Sequence, residues 1–119
     1  MPEAVIVATA RSPIGRAYKG SLVEVRADDL AGFAIDALMN KVPEVDRGSV
    51  DDVMLGCGLT HHEQGFNLAR PASLLGGMPD TVPATTVNRF CASSLQTIRM
   101  AFHAIQRGEG DTNIAAGSE

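Results

Sequence analysis

The sequence has 119 residues, of which 45% are hydrophobic, so it is long enough to bury the core of one small domain. Its formal net charge of −4 and its pI near 5.3 argue against a nucleic-acid partner, because such a partner requires a basic surface. The acidic residues are scattered rather than consecutive, which argues against a disordered acidic tail.

The N-terminus carries no signal that would direct the chain to an oxidising compartment. It starts Met1-Pro2-Glu3, without the basic and apolar regions of a secretory signal. Two cysteines in this setting, Cys57 and Cys91, are expected to be reduced thiols rather than a disulfide framework. No stretch approaches the roughly 18 consecutive apolar residues that a membrane span requires. We therefore expect a soluble, cytoplasmic protein.

The first half of the sequence predicts a strand, a helix and a second strand. Ala4 to Ala10 is an apolar run rich in β-branched residues, which predicts a strand buried on both faces. After a loop, Asp28 or Asp29 is a candidate cap for a helix that Pro43 ends. Val50 to Gly56 predicts the second strand. The expected buried face of the helix consists of Leu30, Phe33, Ala34, Ala37 and Leu38.

The second half continues the alternation. Asn67 to Gly76 predicts a short helix, although Pro71 inside it argues against a continuous one. Thr85 to Asn88 has strand propensity and gives way at Cys91 to a helix that ends at Arg107-Gly108, a cation followed by glycine. The expected buried face of this helix consists of Leu95, Ile98, Phe102 and Ile105.

The order of these elements predicts the fold class. Thr112 to Ala116 adds a last strand, so strands alternate with helices along the chain. This alternation is typical of an α/β fold with a mainly parallel sheet and helices on both faces. Because no crossover helix follows the last strand, we expect further residues or a partner to complete the sheet.

Cys91 lies where a predicted strand gives way to a predicted helix. Helix N-termini present unpaired N–H groups and about half a positive charge, which stabilise a thiolate and can bind the oxyanion formed when a thiolate attacks a carbonyl. The small neighbours Ala92, Ser93 and Ser94 leave the first turn uncrowded. The residues alone leave two interpretations open: a catalytic nucleophile, or a buried cysteine that packs as a small hydrophobe.

The segment around Cys91, Val87-Asn88-Arg89-Phe90-Cys91-Ala92-Ser93-Ser94-Leu95-Gln96, closely resembles the active-site block of the thiolases. Further blocks are similar in the same order along the chain: Ala8 to Gly15, Lys19 to Leu22, Asp51 to Gly58, Gly65 to Pro79 and Ala115 to Glu119. The similarity covers essentially the whole chain. It implies that Cys91 is the acyl-accepting nucleophile, and that residues 1–119 form the N-terminal part of the N-terminal domain of a layered αβαβα fold.

The resemblance also implies an activity and an assembly. Thiolases transfer acyl groups between coenzyme A thioesters, so CoA and acyl-CoA are expected as substrates, with no metal or redox cofactor. Cys91 would attack the keto carbon of a 3-ketoacyl-CoA, acetyl-CoA would leave, and a second CoA would accept the acyl group. The family further implies a homodimer or tetramer, with strands around Thr85 to Asn88 paired across the interface. From the sequence alone, that segment is equally well an interior strand.

Two features of the family are missing from the sequence. Thiolases use a histidine in a Gly-His-Pro segment and a second cysteine in a Cys-x-Gly-x-Gly segment, and neither occurs here. We therefore expect the loop domain and the C-terminal domain to be absent, and the isolated chain to be inactive. Phe66, Pro71 and Ser94 also depart from the residues usual in the family. Ser93-Ser94 is similar to the ketoacyl synthases, so a condensing enzyme of the same superfamily stays open, as does a non-catalytic fragment or partner-binding subunit.

The histidines are weaker candidates for a functional site. His61-His62-Glu63 is the only cluster that looks like metal ligands, but adjacent side chains point apart, and a solvated loop is the favoured interpretation. His103 follows Cys91 by twelve residues. That separation is about 18 Å along a helix, so His103 is expected on the helix surface rather than beside the thiol.

The remaining candidates are a second thiol and three cations. Cys57, at a strand end, is expected to be a small packed thiol without a catalytic role, and no CxxC motif supports a redox pair with Cys91. Arg11, Arg16 and Lys19 are candidates for phosphate contact, with a solvated loop at least as well supported. The glycines do not form a nucleotide-binding loop. No cofactor-binding residue and no metal ligand is assigned.

Overall fold

Three strands, β1 (Asp52–Gly56), β2 (Ala84–Val87) and β3 (Asn113–Gly117), form one parallel sheet in the computed structural model, which describes residues 1–119. The strand order is β2–β1–β3, so β1 is central and four of its five residues are buried. The helices are α1 (Ala27–Lys41), α2 (Ala69–Leu75) and α3 (Ser93–Arg107), with 3₁₀ turns at Arg47–Ser49 and His62–Gln64.

Helices cover both faces of the sheet. Val53 and Leu55 of β1 and Ile114 of β3 belong to one buried apolar cluster with residues of α1 and α2. Met54 alternates with them and is also buried, so it points to the opposite face, where α3 packs on β1 and β3. The predicted α/β class with a parallel sheet is confirmed. None of the helices combines the length and apolarity needed to span a bilayer.

The predicted strand at Ala4 to Ala10 is wrong. Residues 1–16 have no regular secondary structure, and Val5, Ile6 and Val7 are 67%, 75% and 74% exposed. This run lines an apolar cavity of about 1190 Å³ together with parts of α1, α3 and β3. A strand is stable only when its backbone pairs with a neighbour, and none of the three strands of the sheet pairs with this run.

The expected buried face of α1 is confirmed only in part, since Leu38 is half-buried and packs against the core. Phe33 is 60% exposed, and the residues that pack inward are Ala31, Ile35 and Met39. The rotation follows from the contact with α2, which approaches so closely at Gly32 that a Cβ there would lie 3.0 Å from Leu75. The N-terminal prediction differs as well. Arg26 precedes the helix without a side-chain cap, and Asp28 and Asp29 lie inside the first turn.

Pro71 is compatible with α2 for a geometric reason. The helix begins at Ala69, so Pro71 occupies its third position, where the backbone N–H has no partner within the helix. The helix predicted at Asn67 to Gly76 is therefore confirmed with shorter bounds. The other predicted strands and the end of α3 at Gly108, which has a φ of 75°, are confirmed to within two residues.

Helix α3 buries its small residues rather than its large ones. Leu95, Ile98 and Phe102, the face expected in the core, are 67%, 45% and 42% exposed. The buried positions are Ser93, Thr97 and Ala101. Small side chains allow the helix axis to lie close to the sheet, and the Thr97 hydroxyl there contacts the Ala116 carbonyl oxygen at 3.2 Å.

Asp51 fixes the start of β3 against the start of β1. Its Oδ2 accepts hydrogen bonds from the backbone N–H groups of Asp111 and Thr112 at 2.7 and 3.0 Å, and its own N–H donates to the Thr112 carbonyl. The N–H groups of Thr112 and then Asp111 lower the pKa of the Asp51 carboxyl, because they stabilise its charged form.

Replacing Asp51 by alanine is expected to lower the Tm at neutral pH, because the two N–H groups lose their acceptor. Since the folded pKa is depressed, this stabilisation is complete above the unfolded value of about 4 and is lost as the pH falls through the folded pKa. The Tm difference between wild type and Asp51→Ala, measured by circular dichroism, should therefore shrink in acid. Asp111→Ala, which removes a side chain without hydrogen bonds, is the matched control. A Tm difference that does not depend on pH would contradict this account.

Candidate active site

The carboxyl ends of the three strands meet at one edge of the sheet. There the Cys57 N–H donates to the Val87 carbonyl, and the Ser118 N–H donates to the Gly56 carbonyl, both at 2.9 Å. A cavity of about 580 Å³ opens at this edge. It is lined by the ends of β1 and β3, the residues that follow them, and the start of α3, including Cys91. This edge is where ligands bind in parallel α/β sheets.

The turn between β2 and α3 is tightly hydrogen-bonded. The Asn88 Oδ1 accepts from the Phe90 N–H at 3.0 Å, while the Asn88 Nδ2 donates to the Gly58 carbonyl at 3.3 Å. The Ala92 N–H then donates to the Arg89 carbonyl at 3.0 Å. Asn88 thus ties the end of β2 to the segment after β1 and closes the turn before Cys91.

Phe90, immediately before Cys91, adopts a left-handed backbone conformation with a φ of 45°. Such a conformation costs a non-glycine residue about 1–3 kcal/mol and persists only where the surroundings enforce it. The Phe90 side chain is 76% exposed, so packing of the ring does not enforce it. The hydrogen bonds of the turn must therefore hold it, and they determine where the next residue, Cys91, points.

Cys91 is exposed and lies two residues before the first residue of α3. The residue between them, Ala92, is the N-cap and provides no side-chain cap. The N–H groups of Cys91, Ser94 and Leu95 make no backbone hydrogen bond. A thiol at this position is accessible and precedes uncapped N–H donors, which can bind an oxyanion formed at the thiol. The interpretation of Cys91 as a buried hydrophobe is wrong.

Two glycines allow α3 to sit directly on the strand ends. A Cβ on Gly56 would lie 2.5 Å from the Ser93 carbonyl carbon and the Ser94 nitrogen. A Cβ on Gly117 would lie 2.6 Å from the Ser94 Cβ. Any side chain at either glycine would therefore displace the first turn of α3, and Cys91 with it. The sequence did not reveal the role of either glycine. A glycine required by a turn and a glycine required by close contact with a neighbouring helix cannot be distinguished from the sequence.

Cys57 differs from Cys91 in its exposure to solvent. It is fully buried, and its Sγ contacts the Leu59 carbonyl oxygen at 3.6 Å. Burial raises the pKa of the Cys57 thiol, and the nearby Glu119 carboxylate raises it further. Both cysteines are free thiols. Cys57 is therefore the packed thiol that the sequence predicts.

The other candidates lie away from the Cys91 cavity. His61 and His62 are exposed, as expected for a solvated segment, but their ring centroids lie 5.4 Å apart, so the two side chains do not point apart. His103 is exposed on α3, as predicted, and its ring packs against Phe102. The cations Arg11, Arg16 and Lys19 are exposed in the N-terminal segment and do not line that cavity.

The fold and this site define an α/β protein with a thiol on a strained strand-to-helix turn at the carboxyl edge of a parallel sheet, as in other proteins that present a nucleophile above a sheet. The chain belongs to the thiolase family: the model of the family "Thiolase, N-terminal domain" matches residues 4–119. The resemblance seen in the sequence is thereby confirmed.

Individual relatives are similar over nearly the whole chain. It is 47% identical over 119 residues to a 3-ketoacyl-CoA thiolase of Bacillus subtilis, covering 100% of this chain and 30% of the relative. Identity to a 3-ketoacyl-CoA thiolase of Photobacterium profundum is 45%, covering 100% of this chain and 31% of the relative. A beta-ketoadipyl-CoA thiolase of Pseudomonas knackmussii is 47% identical over 98% of this chain and 29% of its own length. The chain thus spans about 30% of the length of these relatives.

Replacing Gly56 by alanine is expected to destabilise the fold by about 1–3 kcal/mol, because the new methyl group would overlap backbone atoms that cannot move aside cheaply. Urea unfolding measures this loss. Gly48→Ala is the matched control, since a Cβ there would lie 3.4 Å from the Asp46 carboxylate and fits without displacement. Equal stability of the two variants would show that α3 does not depend on the space at Gly56.

Proposed function

We propose that this protein transfers acyl groups between coenzyme A thioesters, with Cys91 as the nucleophile. The observation that carries the proposal is the exposed thiol at the N-terminal end of α3, within a segment that belongs to the thiolase family. Relatives at 45–47% identity are named 3-ketoacyl-CoA thiolase, which supports a 3-ketoacyl-CoA as the substrate class. In this proposal CoA is a substrate, and no metal or redox cofactor takes part.

In the proposed cleavage, the Cys91 sulfur attacks the 3-keto carbon of the substrate and forms a thioester with the acyl group. The bond between the keto carbon and the adjacent carbon C2 then breaks. Its electron pair leaves with the acetyl-CoA fragment, and C2 of that fragment takes up a proton. The thiol of a second CoA then attacks the Cys91 thioester, so that acyl-CoA leaves and the Cys91 thiol is restored. Condensation is the reverse of these steps. The covalent intermediate divides one difficult transfer into two easier ones.

The first turn of α3 has a defined role in this proposal. Attack by the thiolate places negative charge on the former keto oxygen, and preorganised N–H donors stabilise such charge. The N–H groups of Cys91, Ser94 and Leu95 make no backbone hydrogen bond. They are therefore the candidate donors within this chain, and the glycine contacts beneath α3 keep them in place.

We further propose that residues 1–119 form the first part of a thiolase N-terminal domain, and that a histidine and a second cysteine from the rest of the protein supply the proton transfers. No histidine of this chain lines the cavity at Cys91. The length of the relatives supports this division, since the chain spans about 30% of them.

We also propose that the intact protein is a homodimer or tetramer in the cytoplasm and that it acts in fatty-acid β-oxidation. Strand β2 lies at an edge of the sheet and pairs with only one neighbour, β1. Its other edge is free to pair with a second copy of the chain, which supports an interface at Thr85 to Asn88. Chemical crosslinking of the intact protein, followed by mass spectrometry, would place these segments of two subunits side by side.

Iodoacetamide is expected to alkylate Cys91 well before Cys57 in the folded chain. Cys91 is exposed beside N–H donors, whereas Cys57 is buried and its raised pKa leaves it protonated at mildly alkaline pH. Timed alkylation with peptide mass spectrometry measures both rates, and the Cys57 rate should climb as the pH is raised. In denaturant the two rates should converge, with Cys91 slower than in the folded chain. Equal rates in the folded chain would count against an activated thiol.

The isolated 119-residue chain is expected to show no CoA-dependent cleavage of acetoacetyl-CoA. Nucleophilic attack requires a partner that takes the thiol proton, and no histidine of the chain lies at the Cys91 cavity. The assay follows the loss of acetoacetyl-CoA absorbance on addition of CoA, with Cys91→Ser as the background. Activity above that background would overturn the proposed division of catalytic groups.

A further inference from the structure

Ser93 lies two residues after Cys91 and is the first residue of α3. It is 4% exposed, and although Ser93 borders the cavity at Cys91, its hydroxyl is engaged in two hydrogen bonds with the backbone of the turn. The Ser93 Oγ accepts a hydrogen bond from the Arg89 N–H at 2.9 Å and donates one to the Phe90 carbonyl oxygen at 2.6 Å. One hydroxyl thus joins the backbone on both sides of Phe90.

This double contact acts on the strained residue of the turn. Phe90 has a φ of 45°, and its side chain is exposed. Its N–H is held by the Asn88 side chain, and its carbonyl is held by the Ser93 hydroxyl and the Ser93 N–H. If the Ser93 contacts were lost, Phe90 could relax to an ordinary negative φ, and the Cα–Cβ bond of Cys91 would then point elsewhere.

We propose that Ser93 is a positioning residue for Cys91, whose hydroxyl holds Phe90 in the left-handed conformation that presents the thiol beside the first turn of α3. Only a side chain that both accepts and donates can make these two bonds at once. The catalytic consequence rests on the proposed function, but the effect on the reactivity of Cys91 does not.

The test compares the alkylation rates of Cys91 and Cys57 in the same chain. Ser93→Ala should slow the alkylation of Cys91 by about fivefold or more, the order expected when two hydrogen bonds are lost, and leave the alkylation of Cys57 slow. Ser21→Ala is the control, because Ser21 is exposed, lies outside the Cys91 cavity, and has a hydroxyl that makes no hydrogen bond within the chain. An unchanged Cys91 rate in Ser93→Ala, with Cys57 still protected, would overturn the proposal.

A double variant separates an effect on the Phe90 backbone from a general loss of stability of the fold. Glycine adopts a positive φ without strain, so in a Phe90→Gly background Ser93→Ala should have a smaller effect on Cys91. If Ser93→Ala alone loosens the fold, the Cys57 rate will rise, and the added Phe90→Gly should lower it again. An undiminished effect on Cys91, or failure to restore Cys57 protection, would show that Ser93 does not act through Phe90.

The same variant in the intact protein connects positioning to turnover. Ser93→Ala should lower kcat for CoA-dependent cleavage of acetoacetyl-CoA and leave KM nearly unchanged, because the Ser93 hydroxyl is engaged with the backbone of the turn and acts through the position of Cys91. If the intact wild-type protein forms no acyl adduct on Cys91, the proposed function fails, while the alkylation comparison still decides the role of Ser93. A raised KM with an unchanged kcat would contradict positioning.

Discussion

The close approach of α3 to the strand ends is the constraint on which the rest of the site depends. The backbone of Ser93 and Ser94 lies where a side chain on Gly56 would be, and Ser94 fills the corresponding space at Gly117. Because there is no room for a side chain at either glycine, these contacts set how closely the helix lies to the strand ends. The thiol, the N–H donors and the cavity are then fixed relative to the carboxyl edge of the sheet.

The turn that leads into α3 contains the backbone strain that accompanies the close approach of this helix to the sheet. The chain leaves β2 after Val87 and begins the helix at Ser93, and within this short turn Phe90 adopts a left-handed conformation. Polar side chains offset the strain by satisfying backbone groups that the turn would otherwise leave unpaired, with Asn88 on one side of Phe90 and Ser93 on the other. The strain, the glycine contacts and the polar side chains therefore form one connected arrangement around Cys91.

Sequence patterns predicted the strands β1 to β3 and all three helices, but not which helix faces are buried. Periodicity locates a helix, whereas its buried face depends on how closely the neighbouring element can approach. Because α3 lies close to the sheet, its small residues Ser93, Thr97 and Ala101 are buried. The larger Leu95 and Phe102 are exposed. The apolar run near the N-terminus failed as a strand for a related reason, since its composition is suited to a sheet but no neighbouring strand pairs with it.

At the site, Cys91 could be identified from the sequence, whereas Ser93 could be recognised only as a small neighbour. The two hydrogen bonds of the Ser93 hydroxyl depend on the folded turn and leave no pattern in the sequence. The comparison between the two thiols shows what the fold adds. Cys57 and Cys91 follow the ends of adjacent strands, yet one is buried with a raised pKa and the other is exposed before an uncapped helix. Cys57 directly follows β1, whereas Cys91 lies beyond the end of β2 in the turn before α3, so the difference comes from that turn. That turn leaves one of the two thiols exposed at the cavity.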